Sequence, residues 1–249
     1  MEKLRLRINM SALNLQLPIS YKTILQAAIY NMLSAEDQEN FYHDYGYTLK
    51  DKKYKLFVFS DLFGAYKTEN KKIIFEKNID FYIDSLDSRF VLYIYNYLMN
   101  NEYIFLKHQP VHIDDIQVMD TPIFKDEKSL TIKTISPIVA YTSKDKHFTY
   151  YKPSDIEFCK LVKTNLSRKA KAYQYPLQEV TFDVEEVIFE KQRLVNFKNT
   201  FYISYLSEMR IHVNYDTFKL LYETGMSAKN SCGFGMIKIA NHEKNILYL

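Results

Sequence analysis

The stretch Thr224-Gly225-Met226-Ser227-Ala228-Lys229-Asn230-Ser231-Cys232-Gly233-Phe234-Gly235 holds three of the five glycines in the 249-residue chain. Glycine permits positive φ and a close approach of backbone to a ligand. Successive backbone N–H groups, with Lys229 beside them, form a natural cradle for a phosphate. On residue types alone the segment reads as an anion-binding loop, with Gly225, Lys229, Asn230, Ser231, Gly233, Phe234 and Gly235 as its candidate contacts. A second basic cluster lies at Lys50, Lys52, Lys53 and Lys55, where a cation can offset charge on a phosphorane-like transition state; the alternative is a solvated turn rich in lysine.

Proton transfer near neutral pH calls for an imidazole. His43 is a candidate, although its spacing alone favours a surface histidine. His108 and His112 flank Pro110, and on a strand they lie about 13 Å apart, too far to share an ion. Asp114 and Asp115 alternate faces on a strand and read as solvated. Asp44 adjoins His43, but neighbours on an α-helix diverge by about 100°, so it is not counted as a partner. Five basic residues between Lys160 and Lys171 read either as a solvated helix face or as a backbone-binding edge.

These groups need elements to position them. Leu4, Leu6 and Ile8 alternate with Arg5, Arg7 and Asn9, as in a half-buried strand. Ser20 is placed to cap a helix over residues 21–33, whose Leu25, Ala28, Ile29, Met32 and Leu33 make one apolar stripe. Tyr30 falls well off that stripe, toward a surface or cleft. A short helix from about residue 34 to Gly46 follows, with His43 in its last turn, where the helix dipole favours the protonated ring. Strands over 54–60 and 71–77, a helix over 87–100 and an extended segment over 102–119 complete a β-α-β-β-α-β series. The second half repeats the order: strand 130–142, helix 154–173, a long hairpin 179–197 and 200–213 turning at Lys198-Asn199, helix 216–223, and a strand from 235 to 240.

The expected class is therefore α+β, with two tandem ferredoxin-like (RRM-like) domains on antiparallel sheets. The predicted domains are residues 1–124 and 125–249, joined in the polar stretch around Pro122. The repeat is one of element order, without shared residues. RRM-type units recognise single-stranded RNA, but fold alone does not assign that activity.

Composition narrows the classes further. Apolar residues make up 47%, enough for a packed core in each half, and net charge is +3. The 22 Tyr and 17 Phe, with no Trp, read as genomic bias or as stacking platforms for bases. Cys159 and Cys232 form no CxxC, which fits a reducing cytoplasm rather than a disulfide framework. The longest apolar run, Phe90 to Tyr97, is too short to span a bilayer, and the N-terminus reads as a strand rather than a signal peptide.

The end of the glycine segment, Gly233-Phe234-Gly235, resembles the glycine-rich loop of the repeat-associated Cas proteins, above all the sixth Cas family (Cas Six) of CRISPR precursor-RNA endoribonucleases. The start departs, with Ser227 where the family pattern has glycine. Leu17-Pro18, Leu25-Gln26-Ala27-Ala28-Ile29-Tyr30-Asn31, Lys55-Leu56-Phe57-Val58-Phe59-Ser60 and Ser136-Pro137-Ile138 resemble the same family, so the likeness spans the chain. The resemblance implies metal-independent cleavage of CRISPR repeat RNA by its own 2′-hydroxyl, giving a 2′,3′-cyclic phosphate and a 5′-hydroxyl. It implies His43, Tyr30 and Lys55 as catalytic residues, with Lys52 and Lys53 on the RNA beside the glycine segment. No cofactor, metal or membrane is implied; partners are repeat RNA and other Cas subunits, and monomer or homodimer is left open. A non-catalytic RNA-binding subunit of a CRISPR surveillance complex is the alternative.

Overall fold

The structure, a computed structural model, describes residues 4–145 and 147–240. The strand reading of residues 1–3 lies outside them.

Six elements build the first half: β1 (Leu4–Ser11), α1 (Lys22–Leu33), β2 (Phe57–Phe59), β3 (Asn78–Ser85), α2 (Ser88–Met99) and β4 (Gln109–Asp120). The sheet runs β2-β3-β1-β4, antiparallel throughout, and Tyr103–Leu106 extends its outer edge beside β4. Leu6, Ile8 and Met10 alternate inward from β1, meeting Phe81 and Ile83 of β3 and Ile29 and Ile94 of the helices. The apolar stripe read on α1 is buried as expected.

The second half repeats the pattern with β5 (Lys128–Thr134), α3 (Ile156–Tyr173), β6 (Phe182–Phe197), β7 (Thr200–Val213), α4 (Tyr215–Thr224) and β8 (Ile237–Ile239). Its order is β6-β7-β5-β8, again antiparallel. The fold is thus the expected α+β pair of ferredoxin-like units. Lys198 and Asn199 both take positive φ, as a two-residue hairpin turn requires. Among the described residues no helix is long and apolar enough to cross a membrane.

Three expectations are corrected. The strand over 71–77 is not the third strand of the first sheet; Lys72–Phe75 pairs instead with Leu15–Pro18 and Tyr66–Glu69 in a separate sheet. Asn70 and Lys71, both at positive φ, close that hairpin, and the period-two burial of Ile79, Phe81 and Ile83 gives β3 the central place. The strand over 130–142 ends at Thr134, and Tyr141–Lys144 forms a separate hairpin with His147–Tyr150. Ser20 does not cap α1; Tyr21 holds the N-cap position without a side-chain bond.

One buried cation ties the halves together. Arg5 of β1, 1% exposed, bonds Asp84 of β3 at 2.9 Å and the carbonyls of Tyr222 and Ile237, both at 2.7 Å. Its guanidinium also lies over the Tyr222 ring at 3.4 Å. Burial pushes the Asp84 carboxyl up, and Arg5 opposes that shift. Replacing Arg5 by Met leaves a buried carboxylate and two carbonyls without their donor. The expected loss is ~3–5 kcal/mol of unfolding free energy, read as a lower urea midpoint at unchanged slope. A loss below ~1 kcal/mol contradicts this role.

Candidate active site

His43 lies on a single π-type turn, Phe41–Tyr45, and not in the last turn of a helix from 34 to 46. The physical reason is local. Asp37 turns its carboxylate onto the N–H groups of Phe41 (2.8 Å) and Tyr42 (2.9 Å), and Asn40 takes a left-handed conformation that no continuous helix allows. Gly46 closes the turn at φ +68°, donating to the Phe41 carbonyl at 2.7 Å. A helix dipole therefore plays little part at His43.

Several contacts fix this turn. Lys55 donates its ammonium to the carbonyls of Tyr42, at 2.7 Å, and His43. Lys53 donates to the Asp44 carbonyl at 2.9 Å. Asp87, 2% exposed, caps α2 through the Arg89 N–H and accepts the hydroxyls of Tyr42 (2.7 Å) and Tyr47 from either side of the turn. Arg89 and both hydroxyls hold the Asp87 carboxyl below the usual range, against the burial that raises it.

The imidazole is 59% exposed, and its Nδ1 lies 2.6 Å from Asp44 Oδ1. Asp44, set aside in sequence on α-helical geometry, is therefore the ring's partner, because the turn is not α-helical. Nε2 has no hydrogen-bond partner among the described residues. The Tyr30 ring meets the imidazole edge-on at 4.6 Å between centroids, and Phe57 of β2 backs it at 5.9 Å. Burial, with Cys232 and Asp44 nearby, raises the Tyr30 phenol, so it stays a neutral donor. Burial lowers the Lys55 amine to about 8. His43, Tyr30 and Lys55 thus converge; Lys53 borders them, and Lys52 is exposed beside it.

The glycine segment is packed into the fold. The N–H groups of Gly225, Met226, Ala228, Cys232, Gly233 and Gly235 all donate to protein carbonyls, while those of residues 229–231 between them make no such bond among the described residues. Gly225, Asn230, Gly233, Phe234 and Gly235 are buried, and Phe234 is 0% exposed, which denies it a stacking role. Lys229 and Ser231 remain half-buried at the surface. The segment is a packed clasp. A Cβ at Gly233, φ +83°, would sit 2.5 Å from the Phe59 ring of β2. Lys22 donates to the Gly233 carbonyl at 2.7 Å and Gln26 to that of Ser231 at 2.6 Å. Lys169 of α3 donates to the Thr224 and Gly225 carbonyls (3.2 and 2.7 Å) and to Asn230 Oδ1 (2.7 Å). Burial pushes the Lys169 ammonium down to about 7, and three acceptors for its three protons oppose that shift.

The remaining candidates stay apart. Lys160 and Lys163 are paired with Glu157 and Asp183, and Lys169 is buried. His112 faces Asp114 at 2.8 Å on an exposed strand. Among the described residues no group of three His, Cys, Asp or Glu could hold a metal ion. Sequence reading missed Asp37, Asp87, Lys22, Gln26 and Lys169. One signal was available: Lys22, Gln26 and Tyr30 recur every four residues, on one face of α1.

Comparison with known proteins adds an independent line. The family described as "CRISPR associated protein Cas6, C-terminal" matches residues 119–239. The CRISPR-associated endoribonuclease Cas6 1 of Methanocaldococcus jannaschii is 29% identical over 252 residues, covering 95% of this chain and 92% of its own length. The CRISPR-associated endoribonuclease Cas6 of Pyrococcus furiosus is 26% identical over 235 residues, covering 92% and 85%. Among solved structures, one from a Cas6-related gene of Pyrococcus furiosus aligns with a TM-score of 0.78 at 22% identity, over 97% of this chain and 100% of that one. A CRISPR associated protein Cas6 aligns at 0.76 and 21% identity, over 96% and 100%.

Two measurements check the geometry. An NMR titration of the Lys55 side chain is expected to give a midpoint near 8, the ammonium losing its proton as pH rises through that value; an ordinary value, ~10.4, contradicts the buried placement. Gly46→Ala brings a Cβ to 2.7 Å from the Tyr54 carbonyl at positive φ. It is expected to cost ~1–3 kcal/mol and to move the His43 ring resonances, whereas unchanged resonances contradict a rigid turn.

Proposed function

We infer, from the family match over residues 119–239 and from the two endoribonuclease relatives, that the chain is a Cas6-family endoribonuclease that processes CRISPR RNA, and that it cuts repeat RNA without a metal. The observation that carries this reading is the exposed His43 imidazole, oriented by Asp44 and edged by Tyr30. The relatives named as endoribonucleases over most of their length support the same assignment. The units are taken as residues 1–124, carrying the reactive groups, and 125–249, carrying the glycine segment.

RNA brings its own nucleophile. The 2′-hydroxyl attacks the adjacent phosphorus, the P–O5′ bond breaks, and the products are a 2′,3′-cyclic phosphate and a 5′-hydroxyl. One proton leaves the 2′-oxygen and one reaches the departing 5′-oxygen. His43 Nε2 moves one of them, while Nδ1 donates to Asp44 and holds the ring orientation. Tyr30, kept protonated, donates to a non-bridging phosphate oxygen. Lys55 acts chiefly as a positioning residue, since its ammonium is committed to the carbonyls on which His43 hangs. Lys52 and Lys53 supply positive potential along the strand edge. No step in this route requires a metal.

The test is purified protein with its repeat RNA in excess EDTA, followed by end-group analysis. Undiminished cutting and cyclic-phosphate ends are expected; metal-dependent cutting or 3′-hydroxyl ends contradict the chemistry. His43→Ala is expected to lower the single-turnover rate by ~10²–10⁴ while repeat affinity changes less than ~3-fold. The rate is expected to fall as pH rises above about 8, where Lys55 loses its charge; a rate still climbing through pH 9 contradicts a need for that ammonium. Binding without cutting under every condition assigns the chain to the non-catalytic reading.

A further inference from the structure

A surface of aromatic rings and lysines adjoins this site, and nothing in the chemistry above uses it. The hairpin Tyr141–Lys144 and His147–Tyr150 stands on the second half. Its Tyr141, Phe148 and Tyr150 rings cluster, with centroids 5.3 to 6.4 Å apart. Phe148 is 48% exposed. The Tyr150 hydroxyl donates to the Phe201 carbonyl at 3.3 Å, which seats the hairpin against β7. Cations border the rings: Lys229 over Tyr202 at 5.5 Å and Lys198 over Phe197 at 5.8 Å.

A chain of contacts links this surface to the site of His43. The hairpin root touches the glycine segment, where the Ala228 N–H donates to the Val139 carbonyl at 3.1 Å. Two residues past Lys229, Ser231 is held by Gln26, one helical turn before Tyr30, whose ring meets His43. A polymer leaving His43 past Tyr30 and Ser231 thus reaches Lys229 and then the rings.

We propose that this hairpin face is a binding platform for an unpaired stretch of the RNA substrate next to the cut, with bases stacked on Phe148 and Tyr141 and a phosphate on Lys229. Exposed rings interleaved with cations suit single-stranded RNA, since every base offers a π-face and every linkage a charge. A duplex hides its faces and gains little there. A second copy of the chain is the other occupant an apolar face could take, but a two-fold contact would set Lys229, Lys198 and Lys144 against their equivalents.

The proposal rests on the endoribonuclease reading, and its test separates the two. The probe is repeat RNA made uncleavable by a single 2′-deoxy substitution at the cut, with its flank either unpaired or annealed to a complement. The protein is the full chain and its Phe148→Ala/Tyr141→Ala variant, both changes being on this hairpin. The variant is expected to bind the unpaired-flank RNA at least tenfold more weakly and to lose the wild-type preference over the annealed form. Iodouridine in the flank is expected to photocrosslink to the hairpin in the wild type. Equal affinity of variant and wild type, in a protein that still cuts cleavable repeat, overturns the platform and leaves the enzyme reading intact. A change of oligomeric state on size exclusion without a change of affinity also overturns it, in favour of an interface between copies. Wild-type protein that neither binds nor cuts repeat RNA overturns both.

Discussion

Buried cations ending on backbone carbonyls hold this molecule in shape. Arg5 takes the carbonyls of Tyr222 and Ile237, Lys169 those of Thr224 and Gly225, and Lys22 that of Gly233. All of these acceptors lie between residues 222 and 237, so one segment is gripped from β1, α1 and α3 together. A charge withdrawn from water is tolerated only where its hydrogen bonds are met. Moving the segment would cost three buried cations part of their hydrogen bonds at once, Arg5 and Lys22 keeping only Asp84 and Asp61, which makes the join between the two ferredoxin-like units a fixed geometry. Lys55 repeats the device at smaller scale, on the carbonyls of Tyr42 and His43.

That grip connects the glycine segment to the site through α1. Lys22 and Gln26 bind the segment, and Tyr30, on the same face of α1, touches the imidazole. Phe59 and Phe57 of β2 lie under the segment and under Tyr30 respectively, and the lysine-rich turn leads into the same strand. Glycine at 233 is therefore explained by packing against Phe59 rather than by room for a phosphate. The second half thus meets α1 at Gln26, four residues before Tyr30, a junction that a single ferredoxin-like unit would not provide.

The alternation of β1, the stripe of α1 and the Lys198-Asn199 turn were legible because each follows from local periodicity or local φ. The packing of the glycine segment was not, since Gly235 and Ala228 donate to Pro137 and Val139, about ninety residues away in the chain. His43 stands out in the sequence, but its turn was misread: Asp37 bonding four and five residues ahead, with Asn40 left-handed, replaces a helix by a π turn. Asp44 was lost with that misreading. Lys169 was readable in principle, because it falls on the stripe of Phe158, Val162 and Leu166 and not with the solvated lysines of α3.

The central claim is that the ring at position 43 moves a proton in RNA cleavage. Chemical rescue of His43→Gly tests it most directly, since the variant opens a space of imidazole size while retaining Tyr30, Asp44 and Lys55. Added imidazole is predicted to restore cutting at the wild-type phosphodiester, saturably, with cyclic-phosphate ends. A variant that binds repeat RNA yet stays inert at every imidazole concentration, or one that cuts unaided at the wild-type rate, would contradict the account.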